Sequence, residues 1–210
     1  TMTFAVILTF AMIALGMVLI PGPNMLYLIS RSIVQGKRAG LISLFGVATG
    51  FVVYMLLAAF GITAIVMAIP FAYDTVKFLG ALYLLYWAWQ AIKPNAKSLF
   101  EVQKLDTDSP TKLYLMGLLT NLLNPKIAVM YLSLLPQFVK PELGNAFLQS
   151  LILGATQIVI SVTVNVLIVL SASRIAKLLT GQPLIIKLQK WLMATVLTGL
   201  AVRTLTETRR

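Results

Sequence analysis

The chain contains neither cysteine nor histidine, and only six of its 210 residues are acidic. Without thiols there is no disulfide framework and no thiol nucleophile; without imidazole the usual zinc and haem ligand sets are gone. Six carboxylates leave little else to hold a metal ion. A nucleophile drawn from Ser, Thr, Tyr or Lys would have no His, Cys or acid beside it, so neither an enzyme, a metal site nor a cofactor is expected. Charge is scarce altogether, at 11% of residues.

What fills the chain is apolar: 59% of residues are hydrophobic and the mean hydropathy is +0.92, beyond the range of a soluble single domain. The expected class is an all-α integral membrane protein. The net charge of +11 does not point to nucleic acid, because the basic residues sit in short connections between apolar runs. Orientation in the bilayer and contact with anionic membrane lipid account for them.

Two proline breaks organise the apolar runs, Pro21-Gly22-Pro23-Asn24 and Asn124-Pro125-Lys126, about one hundred residues apart. Proline removes a backbone donor and clashes with the preceding turn, freeing carbonyls that hydrocarbon cannot satisfy. Such a break survives only inside protein or beside water. The first interrupts a run from Phe4 to Ile20 that resumes at Met25–Ile29, read as one discontinuous span. A cleaved signal peptide is not expected there, for want of a basic leader and because the apolar run is too long. Leu41–Phe60 is long enough to cross a bilayer core as a second span. Ile62–Tyr73, containing Pro70 and ending at Asp74, is too short and reads as a hairpin-like connection; Phe78–Ile92 is the third span, with Tyr83, Tyr86, Trp87 and Trp89 as an interface belt or bundle packing. The polar stretch Lys93–Lys112 follows. Leu113–Leu135 is the fourth, broken span, Ala146–Leu170 the fifth, and the stretch between Lys190 and Arg203 the sixth, with Lys187, Lys190 and Arg203 snorkelling.

The expected architecture is therefore six transmembrane helices arranged as two inverted three-helix repeats, residues 1–92 and 113–210, joined by a cytoplasmic linker at 93–112, with helices 1 and 4 broken. An odd number of spans per half turns the second half over in the membrane. Aligning Pro23 with Pro125 sets Asn24 against Lys126 and Leu28 against Met130, while Lys77-Phe78-Leu79 echoes Lys190-Trp191-Leu192. Lys and Arg concentrate on one set of connections, which the positive-inside rule makes cytoplasmic; with six spans both termini are then periplasmic, whereas the basic tail, Arg203, Arg209 and Arg210, argues for five spans with the tail inside.

The ordered set Pro21-Gly22-Pro23-Asn24, Gly36-Lys37-Arg38-Ala39-Gly40, Gly46-Val47-Ala48-Thr49-Gly50, Gly80-Ala81-Leu82-Tyr83-Leu84 and Asn121-Leu122-Leu123-Asn124-Pro125-Lys126, closing in Leu135-Pro136-Gln137-Phe138, resembles the LysE/RhtB family of bacterial amino-acid exporters over nearly the whole chain. The resemblance implies six spans, a homodimer in the cytoplasmic (inner) membrane, and export of amino acids or close derivatives driven by the proton gradient. Many relatives carry an acid just after the second-span glycine pair, where this chain has Phe51, and no Asp or Glu falls within a predicted span core. Neutral amino acids such as threonine, homoserine or leucine fit such a site better than cationic ones. A pore or a non-transporting scaffold is the alternative; either accounts for packing glycines but not for two symmetric breaks.

The chemistry of the breaks suits an amino acid independently. An N-terminal half-helix end presents unpaired N–H groups to a carboxylate, and a C-terminal end presents carbonyls to an ammonium. Substrate contacts are expected at Pro21, Gly22, Pro23, Asn24, Asn121, Asn124, Pro125, Lys126 and Gln157. Lys126, about 13 residues into its span and so roughly 20 Å along the axis, lies too deep to reach headgroups easily and is expected to meet the carboxylate. Asn24 and Asn124 read either as helix caps or as substrate ligands. Gln157 and Asn165, eight residues apart on one helical face, either line the cavity or hydrogen-bond between helices. Gly36, Gly40, Gly46 and Gly50 are expected to permit close helix packing.

Overall fold

The apolar runs fold as helices wherever no proline intervenes, and the computed structural model describes them over residues 2–61, 69, 71, 74, 75, 78, 81, 82, 85, 86, 88, 89, 92–94, 107–179 and 183–206. All regular structure among the described residues is helical. In chain order, α1 is Phe4–Leu19, α2 Pro23–Gln35, α3 Lys37–Ala59, α4 Pro110–Leu122, α5 Pro125–Val129, α6 Ala146–Leu179 and α7 Pro183–Thr206. A wide π turn, Met130–Leu134, and a 3-10 turn, Leu135–Phe138, continue α5. Much of the predicted Ile62–Tyr73 connection, the third span and the 93–112 linker, with Lys77, Tyr83, Trp87 and the tail's Arg209 and Arg210, lies outside the described residues.

Both predicted breaks are present and alike: α1 and α2 bend by 54° at theirs, and α4 bends by 52° against 126–138 at the other. Among the described residues, α3 and 146–175 of α6 are long and apolar enough to cross a bilayer singly, and the bent pairs bring the total to as many as four. Some boundaries move. Ser109 accepts the Lys112 N–H at 3.2 Å with Pro110 at the first helical position, so α4 begins ahead of Leu113. The fifth apolar helix runs past the expected end at Leu170 to Leu179. Nothing there breaks it, since Ser171 turns its hydroxyl back to its own helix, donating to Leu167 O at 2.6 Å. The last helix likewise starts earlier, at Pro183, a residue suited to a first helical turn.

Helix α3 is the centre of the bundle, packed against α2, α4 and α6. Its fit to α4 is made by glycines on both sides. A Cβ at Gly46 would strike Tyr114 O, and one at Gly117 would strike Ser43 O; neither backbone could come so close past a larger residue. Gly50 admits the Asn121 side chain, whose Oδ1 would lie 2.5 Å from an added Cβ, and Gly40 admits Ser32 Oγ. Gly36 differs: a Cβ there would meet nothing within 4 Å. Its φ of +87° at the turn between α2 and α3 is what calls for glycine.

Polar ties hold the end opposite the breaks. Tyr27 Oη donates to Leu113 O at 3.0 Å and accepts from Ser43 Oγ at 3.2 Å. Asp108 accepts from Arg31 Nη1 at 2.7 Å and from Gln35 Nε2 at 2.9 Å, and its own N–H donates to Gln35 Oε1 at 2.8 Å. The hydrogen bond to Lys112 first, then that to Gln35 and the Arg31 charge, hold the Asp108 carboxyl below the usual carboxylate range. A lowered pKa means that this tie stabilises the fold above the ordinary carboxylate range and is lost as pH falls through the lowered value.

The glycine contacts separate two otherwise similar substitutions. Gly46→Ala is expected to cost roughly 1–3 kcal/mol by overpacking, whereas Gly16→Ala in α1, where a Cβ would meet nothing within 4 Å, should cost nothing. Thermal unfolding in detergent measures both, and equal losses would contradict the packing described.

Candidate functional site

Pro21 determines what the first break needs. In a continuous helix the Met17 carbonyl would accept from the N–H of residue 21, and proline has none. Past Leu19 the chain is extended at Ile20, φ −72° and ψ 120°, and again at Gly22. The carbonyls of Met17 and Ile20 are thereby left without helical donors. Lys126 supplies both bonds: its Nζ lies 2.9 Å from Met17 O and 2.7 Å from Ile20 O. The cation sits at the negative end of α1, where the helix dipole favours it.

Lys126 arrives there because the second break aims it. Asn124 caps α5, its Oδ1 accepting the Lys126 N–H at 3.0 Å, and Pro125 takes the first helical position. Lys126 is only 7% exposed. Gly22 gives it room, since a Cβ at that position would lie 3.3 Å from Nζ. The C-terminal end of α4 has a different donor: Tyr54 Oη bonds Leu122 O at 2.7 Å, and the Tyr54 ring stacks on Tyr131 with centroids 5.6 Å apart.

Next to Lys126 is a cavity of about 20 Å³ lined in part by Asn24, Phe51, Lys126, Gln157, Ser161 and Asn165. That is room for about one water molecule. Among the described residues, Lys126 is the one charged residue in its lining. Gln157 accepts from Tyr131 Oη at 2.6 Å and donates to Ser161 Oγ at 2.7 Å, while Asn165 Nδ2 donates to Ser161 O at 2.7 Å. Other polar atoms are left over. Asn24 Oδ1, Asn124 Nδ2 and both polar atoms of the Asn121 side chain are buried without a hydrogen-bond partner among the described residues. Each unpaired group of this kind costs about 1–3 kcal/mol.

The predicted residues thus divide by position. Asn24, Lys126 and Gln157 line the cavity; Gly22 touches Lys126, and Pro21, Pro23 and Pro125 shape the two breaks. Asn124 caps and keeps a spare amide N–H group. Asn121 lies against Gly50, away from the cavity lining. Sequence reasoning did not single out Met17, Tyr131 or Ser161 for the site. Ser161 has a visible signal, since Gln157, Ser161 and Asn165 recur every four residues on one helical face. For Met17 the signal is its place four residues before Pro21.

Two interrupted helices that meet over a buried cavity are the arrangement of a membrane transporter. Residues 15–208 match the model of the LysE type translocator family, and the chain belongs to that family. It is similar to the uncharacterized membrane protein YrhP of Bacillus subtilis (strain 168), 30% identical over 159 residues that cover 71% of this chain and 74% of that one. It is also similar to two leucine efflux proteins. That of Enterobacter sp. (strain 638) is 28% identical over 93% of this chain and 92% of its own, and that of Klebsiella pneumoniae 27% identical over the same shares. No solved structure matches the chain.

The cap on α5 is separable from charge. Asn124→Ala, which removes the acceptor of the buried Lys126 N–H, should cost about 1 kcal/mol, within a range of roughly 0.5–2. Asn124→Ser keeps an acceptor without adding a charge and should restore most of that stability in thermal unfolding; a loss as large as that of Asn124→Ala would refute the capping role.

Proposed function

We propose that this protein is a secondary transporter that exports neutral amino acids, leucine, threonine or homoserine among them, through a site formed where its two broken helices meet. The observation that carries the reading is the bond pair from Lys126, on one break, to Met17 O and Ile20 O, on the other. An amino acid offers an ammonium and a carboxylate a short distance apart, and this junction offers the complement of each. Carbonyls end α1; at the start of α2, the Asn24 and Met25 N–H groups precede the first helical bond, Leu26 N–H to Gly22 O. The spare Asn124 amide N–H group and the Lys126 ammonium add donors for a carboxylate. The remaining lining, with Ala14, Val18, Phe51, Ile127 and Met130, suits an uncharged side chain and has no acid to meet a cationic one. The names of the leucine efflux relatives agree with that class of substrate.

A cavity of about 20 Å³ is too small for an amino acid, so the helices around it must part to load one. The near-equal bends of 54° and 52° support an inverted repeat of six spans; the distribution of Lys and Arg favours cytoplasmic basic connections and periplasmic termini in the bacterial inner membrane. Family resemblance adds a homodimer and the proton gradient as driving force.

Purified protein in liposomes tests the reading. Saturable leucine counterflow is expected, with no ohmic current; current would indicate a pore, absence of both a scaffold, and strong preference for lysine or arginine a different substrate class. Lys126→Ala should lower flux by roughly ten- to a hundredfold or more, as loss of a charge-assisted bond to the carboxylate requires. Undiminished transport in that variant would overturn the site.

A further inference from the structure

The Lys126 ammonium occupies the carbonyl position that the proposed function assigns to the substrate's own ammonium. We infer that Lys126 is a tethered stand-in for the substrate amine: it holds Met17 O and Ile20 O until an amino acid takes them, and then pairs with the incoming carboxylate. This rests on the amino-acid reading of the site and adds a device that selects zwitterions.

The requirement follows from counting charges and bonds. Among the described residues, the cavity lining contains one cation and no anion. Two carbonyls depend on that cation for their hydrogen bonds. A zwitterion adds no net charge: its ammonium replaces Lys126 on the carbonyls, and its carboxylate receives Lys126 together with the half-helix amides. The exchange leaves no group unpaired. An amine without a carboxylate would displace Lys126 and leave two cations in a buried site with nothing to balance the second. A carboxylic acid without an amine could draw Lys126 away only by orphaning two buried carbonyls, or else bind without its charge partner. Both partial ligands are disfavoured, for opposite reasons.

The local structure permits the exchange. Lysine carries a compact charge on a flexible four-carbon stem with three donors, of which two go to these carbonyls. Gly22 leaves space beside Nζ that any other residue would fill, with a Cβ only 3.3 Å away. The buried Asn24 Oδ1, which has no partner among the described residues, and the Asn24 and Met25 N–H groups lie at the start of α2, on the same break. The alternative is a permanent cap, in which Lys126 never leaves α1.

Binding to the purified protein in detergent distinguishes the two. The ligands are leucine, isopentylamine (leucine without its carboxylate) and 4-methylpentanoate (leucine without its amine). Wild-type protein should bind leucine at least about tenfold tighter than either fragment, as the cost of an unmade buried bond predicts. In Lys126→Met, a chain of similar length without charge, the carbonyls are open to an amine. Isopentylamine should then bind at least about tenfold tighter than to wild type, and 4-methylpentanoate no better. Lys126→Ala, which also leaves the two carbonyls without a side-chain donor, is expected to change affinities in the same direction and replaces Lys126→Met should that variant not elute as folded protein. Isopentylamine binding that stays equal or weakens in the variants shows that the freed carbonyls do not take an amine and overturns the inference. So does wild-type protein that binds leucine and isopentylamine equally, whatever the variants do. Tighter isopentylamine on the variants with no amino acid bound by wild type would sink the proposed function while supporting the competition for the carbonyls.

Discussion

The structure depends on one substitution of donors: Pro21 takes an N–H away from the end of α1, and Lys126, more than one hundred residues later, puts an N–H group back. A buried carbonyl without a donor and a buried ammonium without an acceptor are each expensive. Joined, they offset one another, and the join fixes the two halves of the chain against each other at the depth where the helices are interrupted. The two breaks are not handled alike, however. Leu122 O, at the end of α4, receives a neutral phenol from Tyr54, so only the α1 end has a charged and therefore exchangeable partner.

The rest of the bundle holds that junction in register. Reciprocal glycine contacts bring α3 against α4, and α3 also carries Phe51 to the cavity and Tyr54 to the second break. At the other end, Asp108 ties the start of α4 to α2 through Arg31 and Gln35. One half-helix of each break, α2 and α4, is thus anchored to the same central helix. The polar groups between them remain under-satisfied, with Asn24 Oδ1 and Asn124 Nδ2 unpaired among the described residues. In a membrane protein such groups mark the path of a ligand better than they mark the core.

Much of this was legible in the residues. Proline reports a break directly because its lost donor is a covalent fact, so the interruptions at Pro21–Pro23 and Pro125 fall where expected. Glycine spacing reported α3 packing at Gly46 and Gly50 but could not separate those from Gly36, which serves a left-handed turn. The ends of α6 and α7 were not legible, since hydropathy falls at Arg174 and Lys187 while helical hydrogen bonding continues through them. Lys126 was visible as a buried cation, but its partners were not. Which carbonyl it meets depends on how two helices cross, and only three-dimensional placement of α1 beside α5 supplies that.

The central claim is that both breaks form one binding site, and coupling between them measures it most directly. Leucine affinity would be determined for Asn24→Ala, Asn124→Ala and the double variant, one asparagine from each break. A shared site predicts that the double loss departs from the sum of the single losses by about 0.5 kcal/mol or more. Additive losses, within about 0.3 kcal/mol, would mean that the two breaks act separately and would contradict the account.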